Sequence, residues 1–418
     1  MDAREQRGLE IANKTKLTRK GDLWLVPSEN SNQQYTVDPN PEKLHCTCRD
    51  HEFRRATCKH IHAVLIVVER TKTVVTTTKI EEGKPAVTET VSTETVKVKR
   101  VSYSQPWSSY NKAQTFEKSQ FQALLYELCA TVEAPIQTNG RPRIPLADML
   151  FSMTFKIYTT LSGRRFSSDL REAHTRGLMS ELPHYNSISR YLESEALTPY
   201  LKQLITDSSL PLKGVETDFA VDSSGFATAH FLRWFDAKYG REMKEHQWVK
   251  VHLMCGVKTN IVTSVEISKA HANDYNYFKP LVDKTAQSGF AMKEISADKA
   301  YLGNTNFVAA LKHGAIPYIP FKTNSQPNGN GALWARIFHF YQFKREEFLQ
   351  HYHKRSNVET TFSMIKAKFG ERLRSKTETA QINEALCKVL CHNLCCVIQS
   401  FYELGIEASF GSEVAAVA

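Results

Sequence analysis

Two sets of residues in this chain have the types and spacings that chemistry needs. In the first, Cys46-x-Cys48 is followed after nine residues by Cys58-x-His60, three thiols and an imidazole within one short stretch. That donor set suits a closed tetrahedral zinc site, and a closed site is structural because no position is left for a substrate. Zinc would supply folding energy that so small a unit cannot draw from its own core. His51 and His62 are near enough in sequence to replace His60 as the fourth ligand. The second set is Tyr352, Arg355, Glu359 and Lys366, at intervals of three, four and seven, with Asp222 and Asp298 far upstream. Phosphodiester cleavage by two divalent ions about 3.5–4 Å apart needs carboxylates that converge on the metals, which activate one oxygen and stabilise the other. Asp222, Asp298 and Glu359 supply the three acids that such a site requires at the least.

The elements around these residues decide whether they can meet. Asp222 in "FAVDSSG" and Asp298 in "ISADKAY" each close a predicted strand, where an acid can face solvent. Asp218 lies on the same strand face as Asp222 and competes with it. An Asp beside Ser or Gly is also an ordinary turn former. On a helix at about 100° per residue, Tyr352, Arg355, Glu359 and Lys366 fall within roughly 60° of one another. Val358, Phe362, Ile365 and Phe369 form an apolar stripe beside them, and a helix docked by that stripe directs its charged edge toward one target. The competing reading is a capping box, Ser356-x-x-Glu359, with Arg355 and Glu359 as an ordinary helix ion pair. That reading leaves Tyr352 and Arg355 just before the helix.

The whole chain sets limits on what surrounds these sites. Its 418 residues, 41% of them apolar, allow several domains with real cores. Lys and Arg number 54 against 44 Asp and Glu, a formal charge of +10, which favours a polyanionic partner and nucleic acid first. The longest apolar run, "IHAVLIVV", is too short to span a membrane, so no membrane partner and an intracellular protein are expected. Nine cysteines in clusters suit metal ligation and buried thiols rather than a disulfide framework.

Residues 1–70 read as a small β-containing unit closed by a helix. The Thr-, Val- and Lys-rich stretch 71–105 reads as a linker, extended or weakly β, with few large apolar residues to bury. A helical pattern over 106–205 includes a helix pair joined through Gly177 and Pro183, either a DNA-gripping helix-turn-helix or a plain bundle. From 210 to 405 the order is βββαβαβα, which specifies a mixed α/β sheet, and 406–418 is a tail. Cys387, Cys391 and Cys395 recur every four residues among leucines and read as a core helix face. In "HAND", Asn273 or Asp274 reads as the N-cap of the next helix. Trp107, Trp234, Trp248 and Trp334 have core roles or stack on an unpaired base.

The Cys-x-Cys and Cys-x-His pairs, with "YTVDPNPEKLHCTC" before them and "CKHIHAVL" after, resemble a SWIM-type zinc finger over roughly residues 20–67. Such fingers are associated with DNA or protein binding, which Arg49, Arg54, Arg55 and Lys59 suit. Tyr352-x2-Arg355-x3-Glu359-x6-Lys366 matches the Tyr-Arg-Glu-Lys signature of prokaryotic insertion-sequence transposases of the DDE class, and Asp222 and Asp298 stand where that family carries its first two acids. The likeness covers about residues 106–400. It implies a ribonuclease-H-like catalytic domain, two Mg2+ (or Mn2+) ions held by Asp222, Asp298 and Glu359, and phosphate contacts from Tyr352, Arg355 and Lys366. It further implies double-stranded DNA as partner, both transposon ends and target, and a homodimer in the synaptic complex. Only 60 residues separate Asp298 from Glu359, so the large β insertion of some relatives is not expected here.

Overall fold

The computed structural model describes residues 3–15, 17–21, 23–28, 34–40, 44–54, 57–70, 73–79, 87–93, 106–140, 142–228, 248–327 and 331–410. Trp234, the side chains of Arg49, Arg54 and Arg55, and much of the 71–105 stretch lie outside them. The chain divides into two compact units, Met1–Ser104 and Gln105–Ala418.

In the first unit, α1 (Ala3–Lys14) precedes a four-stranded antiparallel sheet in the order β1 (Thr18–Lys20), β2 (Leu23–Pro27), β3 (Gln34–Asp38) and β4 (His45–Cys46). Two helices follow, α2 (Arg49–Arg54) and α3 (Lys59–Arg70). The alternation along β2 and β3 buries Val26 and Val37 against Ile11 of α1 and Ile61 and Val64 of α3. Three of the nine buried members of this core are the cysteines 46, 48 and 58. Beyond α3, β5 (Thr73–Lys79) and β6 (Val87–Thr93) pair antiparallel.

The second unit opens with five helices: α4 (Trp107–Ala130), α5 (Leu146–Thr159), α6 (Gly163–Thr175), α7 (Tyr185–Leu192) and α8 (Leu197–Ser209). A five-stranded sheet follows, with strands β7 (Asp218–Ala227), β8 (Trp248–Gly256), β9 (Val262–Lys269), β10 (Glu294–Ala297) and β11 (Ile316–Tyr318). Their order is β11-β10-β7-β8-β9. The hairpin pairs β7–β8 and β8–β9 are antiparallel, whereas β10 lies parallel to both β7 and β11. Helix α9 (Tyr275–Gln287) connects β9 to β10, and α10 (Asn304–Lys312) connects β10 to β11. This is the mixed α/β sheet expected from the alternation of strand and helix patterns. Helices α11 (Gly331–Phe343), α12 (Arg345–Tyr352), α13 (Ser356–Phe369) and α14 (Glu378–Leu404) complete the fold. Among the described residues between β11 and α13 there is no strand.

Successive side chains of a strand point to opposite faces, and here each face has its own core. Ala220 and Phe226 of β7, with Val251, Leu253 and Cys255 of β8, join α4, α5, α8 and α14 in one cluster. Phe219, Val221 and Met254 join α9 to α12 in the other. Helix α14 is long and apolar enough to cross a membrane, but its apolar side chains lie inside the protein. Its Cys387, Cys391 and Cys396 are buried among Leu386, Leu390 and Leu394. Its Asn393 side chain donates to Ile205 O at 3.0 Å and Val262 O at 2.7 Å, and accepts from Val262 N at 2.9 Å. One amide thus satisfies backbone groups of both α8 and β9, which a buried polar group must do to remain in a core.

Candidate functional site

The four zinc-ligand candidates come together. Cys46 ends β4, Cys48 precedes α2, and Cys58 and His60 open α3, so a two-residue strand and two helix starts converge at one point. Their ligand atoms all lie within 4.8 Å of one another, and all four residues are buried. His60 Nδ1 lies 3.8 Å from Cys46 Sγ and 4.0 Å from Cys58 Sγ. A tetrahedron with Zn–S near 2.3 Å has edges of about 3.8 Å, so the donor set fits zinc. A hydrogen bond with Cys46 pulls the Cys58 thiol down to about 3, while burial pushes Cys48 up. Without a cation the three sulfurs share their charge unevenly. The imidazole in this group is His60, not His51 or His62.

The three acids sit on three elements. Asp222 lies in mid-strand, not at a strand end, because β7 continues to Ala227 opposite Trp248 of β8. The alternation signal fades at "DSSG", so the sequence suggested a turn where the pairing partner in fact prolongs the strand. Val221 of β7 and Ala297 of β10 are register partners, which places Asp222 and Asp298 at the same level on neighbouring parallel strands. Asp298 caps a short 3-10 turn, Lys299–Tyr301, accepting from Lys299 N at 2.6 Å. Glu359 stands in the first turn of α13, docked by buried Val358, Phe362, Ile365 and Phe369. The capping box does not form: Ser356 Oγ donates to His353 O at 2.9 Å, and the backbone continues from α12 through a 3-10 turn, His353–Arg355, into α13. Tyr352 and Arg355 therefore remain in line with Glu359.

Arg355 links the acids. Its Nη1 donates to Asp222 Oδ2 and its Nη2 to Glu359 Oε1, each at 2.6 Å. The guanidinium also lies 5.9 Å from the Tyr352 ring. Burial, together with the charges of Asp298 and Glu359, pushes the Asp222 carboxyl up to about 6, outweighing the Ser223 N–H and Arg355. The three acids do not form a finished three-ligand shell: among the described residues, only the Cys/His group brings three ligand atoms within 4.8 Å. Burial and the charges of two neighbouring carboxylates raise the proton affinity of Asp222, which fits a divalent cation, and Arg355 supplies the positive charge between Asp222 and Glu359.

Lys366 follows on the same helix, donating to Ser224 Oγ at 2.9 Å and lying 5.6 Å from the Phe226 ring. It lines a cleft with Trp248, Lys250 and His271. Gly225 leaves room for Trp248, whose ring would meet a Cβ there at 3.1 Å.

Several neighbours were not legible in the sequence. Asp274 does not cap α9 with its side chain; Asn273 Oδ1 accepts from Tyr275 N at 3.2 Å, and Asp274 turns to Lys250 at 2.7 Å and Ser223 Oγ at 3.0 Å. His252 lies 3.4 Å from Tyr301 Oη, and burial pulls its imidazole down to about 4. Asp218, the competitor of Asp222, is bound by Lys354 at 2.6 Å. Charged residues spaced along different strands give no local signal of such pairing.

A pH dependence follows from Asp222. Its folded pKa of about 6 lies above the ordinary value of about 3.9, so the ionised form, the one able to bind a metal, predominates only above pH 6. Apparent affinity for Mn2+, measured by calorimetry, should fall about tenfold from pH 7 to pH 5, in step with the ionised fraction. The same shift makes the metal-free protein lose stability as pH rises from about 4 to 6, because the unfolded chain gives up its proton first. An Mn2+ affinity flat between pH 5 and 7 would contradict this assignment of Asp222.

Residues 213–394 match the family described as Transposase DDE domain, and residues 35–69 match the SWIM zinc finger. An uncharacterized protein of Aquifex aeolicus is 25% identical over 261 residues, covering 59% of this chain and 76% of that protein. Similar solved structures include the piggyBac transposase synaptic complex with hairpin DNA, at 10% identity and a TM-score of 0.33 over 75% of this chain and 78% of the other. Another is the Drosophila P element transposase strand transfer complex, at 13% identity and a TM-score of 0.22 over 66% and 70%. The two domain matches fall on the two sites described above: the match to the transposase DDE domain spans Asp222, Asp298 and Glu359, and the match to the SWIM zinc finger spans the Cys/His group.

Proposed function

We propose that this protein is a DNA transposase that binds transposon ends, nicks them and joins the freed 3′-hydroxyl ends to target DNA. The observation that supports the reading is Arg355 joined to both Asp222 and Glu359, with the charge of Asp298 acting on Asp222, inside a stretch that matches a transposase DDE domain. Asp222, Asp298 and Glu359 would hold the divalent ions, Mg2+ or Mn2+. When bound, such ions activate the attacking oxygen and stabilise the leaving one in each in-line transfer. Arg355 would meet a phosphate, with Tyr352 and Lys366 along the same edge. The finger, holding Zn2+ through Cys46, Cys48, Cys58 and His60, is a separate binding module. A synaptic homodimer on double-stranded DNA, in the cytoplasm with the nucleoid, completes the proposal.

One observation favours a second reading. Arg355 already neutralises two of the acids, as it would in a transposase-derived DNA-binding protein that no longer cuts. Labelled DNA carrying the ends of the element, incubated with Mg2+, separates the two. Nicked and then joined products are expected; binding with no cleavage at any Mg2+ or Mn2+ concentration would leave the silent reading standing.

A further inference from the structure

Beneath the three acids lies a second set of charges that takes no part in the reaction proposed above. Asp218 and Glu294 are register partners on the parallel strands β7 and β10, and each stands four residues before one of the aspartates, Asp222 and Asp298. Four residues is an even step, so each pair shares a strand face. Neighbouring strands are about 4.8 Å apart, and like charges directly opposite repel. Lys354 resolves that conflict: its Nζ lies 2.6 Å from Asp218 Oδ2 and 2.7 Å from Glu294 Oε2. The same turn is tied down beside it. His351 Nδ1 lies 2.9 Å from Glu294, its backbone oxygen accepts from Ser296 Oγ at 3.0 Å, and its ring stacks on Tyr318 at 4.5 Å. The residue after Lys354 is Arg355, which reaches Asp222 and Glu359.

We propose that Lys354 is a positioning residue: it locks the two aspartate-bearing strands together at their starts and, by fixing the turn, sets Arg355 between Asp222 and Glu359. One ammonium therefore joins all three elements that carry the acids: β7 and β10 through its two ion pairs, and α13 through the chain itself. A surface ion pair ordinarily contributes little. Here the exposed fractions of Lys354, Asp218 and Glu294 are 30%, 28% and 17%, and removal of the cation leaves two carboxylates in register with none between them. The inference rests on the catalytic reading for its effect on activity, but not for its effect on Arg355.

The test uses the full chain. In Lys354→Met, a crystal structure should show Arg355 no longer bridging Asp222 and Glu359. Mg2+-dependent cleavage of labelled ends should fall about 10- to 100-fold, the scale of a misplacement near 1 Å. Lys354→Arg should recover most of the loss. The triple variant Lys354→Met/Asp218→Asn/Glu294→Gln removes the repulsion; it should regain thermal stability while Arg355 stays displaced and cleavage stays low. It also stands in for Lys354→Met in both measurements should that variant not fold. An Arg355 that keeps both hydrogen bonds in the variant structure overturns the proposal, as does wild-type cleavage by the triple variant. If the wild-type protein cleaves nothing with Mg2+ or Mn2+, the catalytic reading falls, and the position of Arg355 alone still decides the role of Lys354.

Discussion

Glu359→Gln is expected to abolish Mg2+-dependent strand transfer, by about a thousandfold or more, while binding of the transposon ends changes only a few-fold. The substitution keeps the shape of the side chain and the first turn of α13, and removes one negative charge from the group that would bind metal. Glu359 is 58% exposed at its side chain, and its partner Arg355 retains Asp222. The stability cost is therefore that of an exposed ion pair, about 0.2–1 kcal/mol, too small to explain a lost activity by unfolding. Metal-assisted displacement, by contrast, depends on charge at the ligand for several kcal/mol of transition-state stabilisation. A gel assay of labelled ends, run beside a thermal melt, checks both halves. A variant that still cuts at a tenth of the normal rate would refute the role of Glu359.

Chelation should unfold the N-terminal unit and leave the second unit folded. Among the described residues, three of the nine buried core members of the first unit are cysteines that would face the metal, which leaves a small apolar core to offset chain entropy. Structural zinc in fingers contributes about 10–16 kcal/mol at neutral pH, more than so small a core supplies. Hydrogen exchange on the full chain after chelation should show lost protection in β2, β3 and α3 and retained protection in β7, β8 and α14. Cys58→Ser should give the same pattern without chelator. Protection unchanged across β2 to α3 would count against zinc as the group that holds this unit together.

The pattern of legibility has a physical basis. The order of strands and helices from β7 to β11 follows from local periodicity, which a sequence displays directly, and the Cys and His spacing brought its ligands to one point as expected. What depended on partners far away was not readable. The sequence placed Asp222 at a strand end because nothing nearby announces that Trp248 pairs with Ala227. Ser356 and Glu359 had the spacing of a capping box, yet the preceding turn is itself helical and Arg355 claims Glu359 instead. Lys354 drew no attention as one charge among seven basic residues from Tyr352 to Lys376, since its two partners are 136 and 60 positions away. Asp274 showed the same limit, its local capping role yielding to Lys250 and Ser223 across the sheet.

Helix α14, the last of the fold, has a bearing on how proteins of this kind are inherited. Its apolar side chains and Asn393 are shared between the early helices and the sheet. A gene fusion that exchanged residues 106–209 for foreign helices would have to match that shared packing atom for atom, or expose it. The helices before the sheet must therefore descend with the acids they accompany.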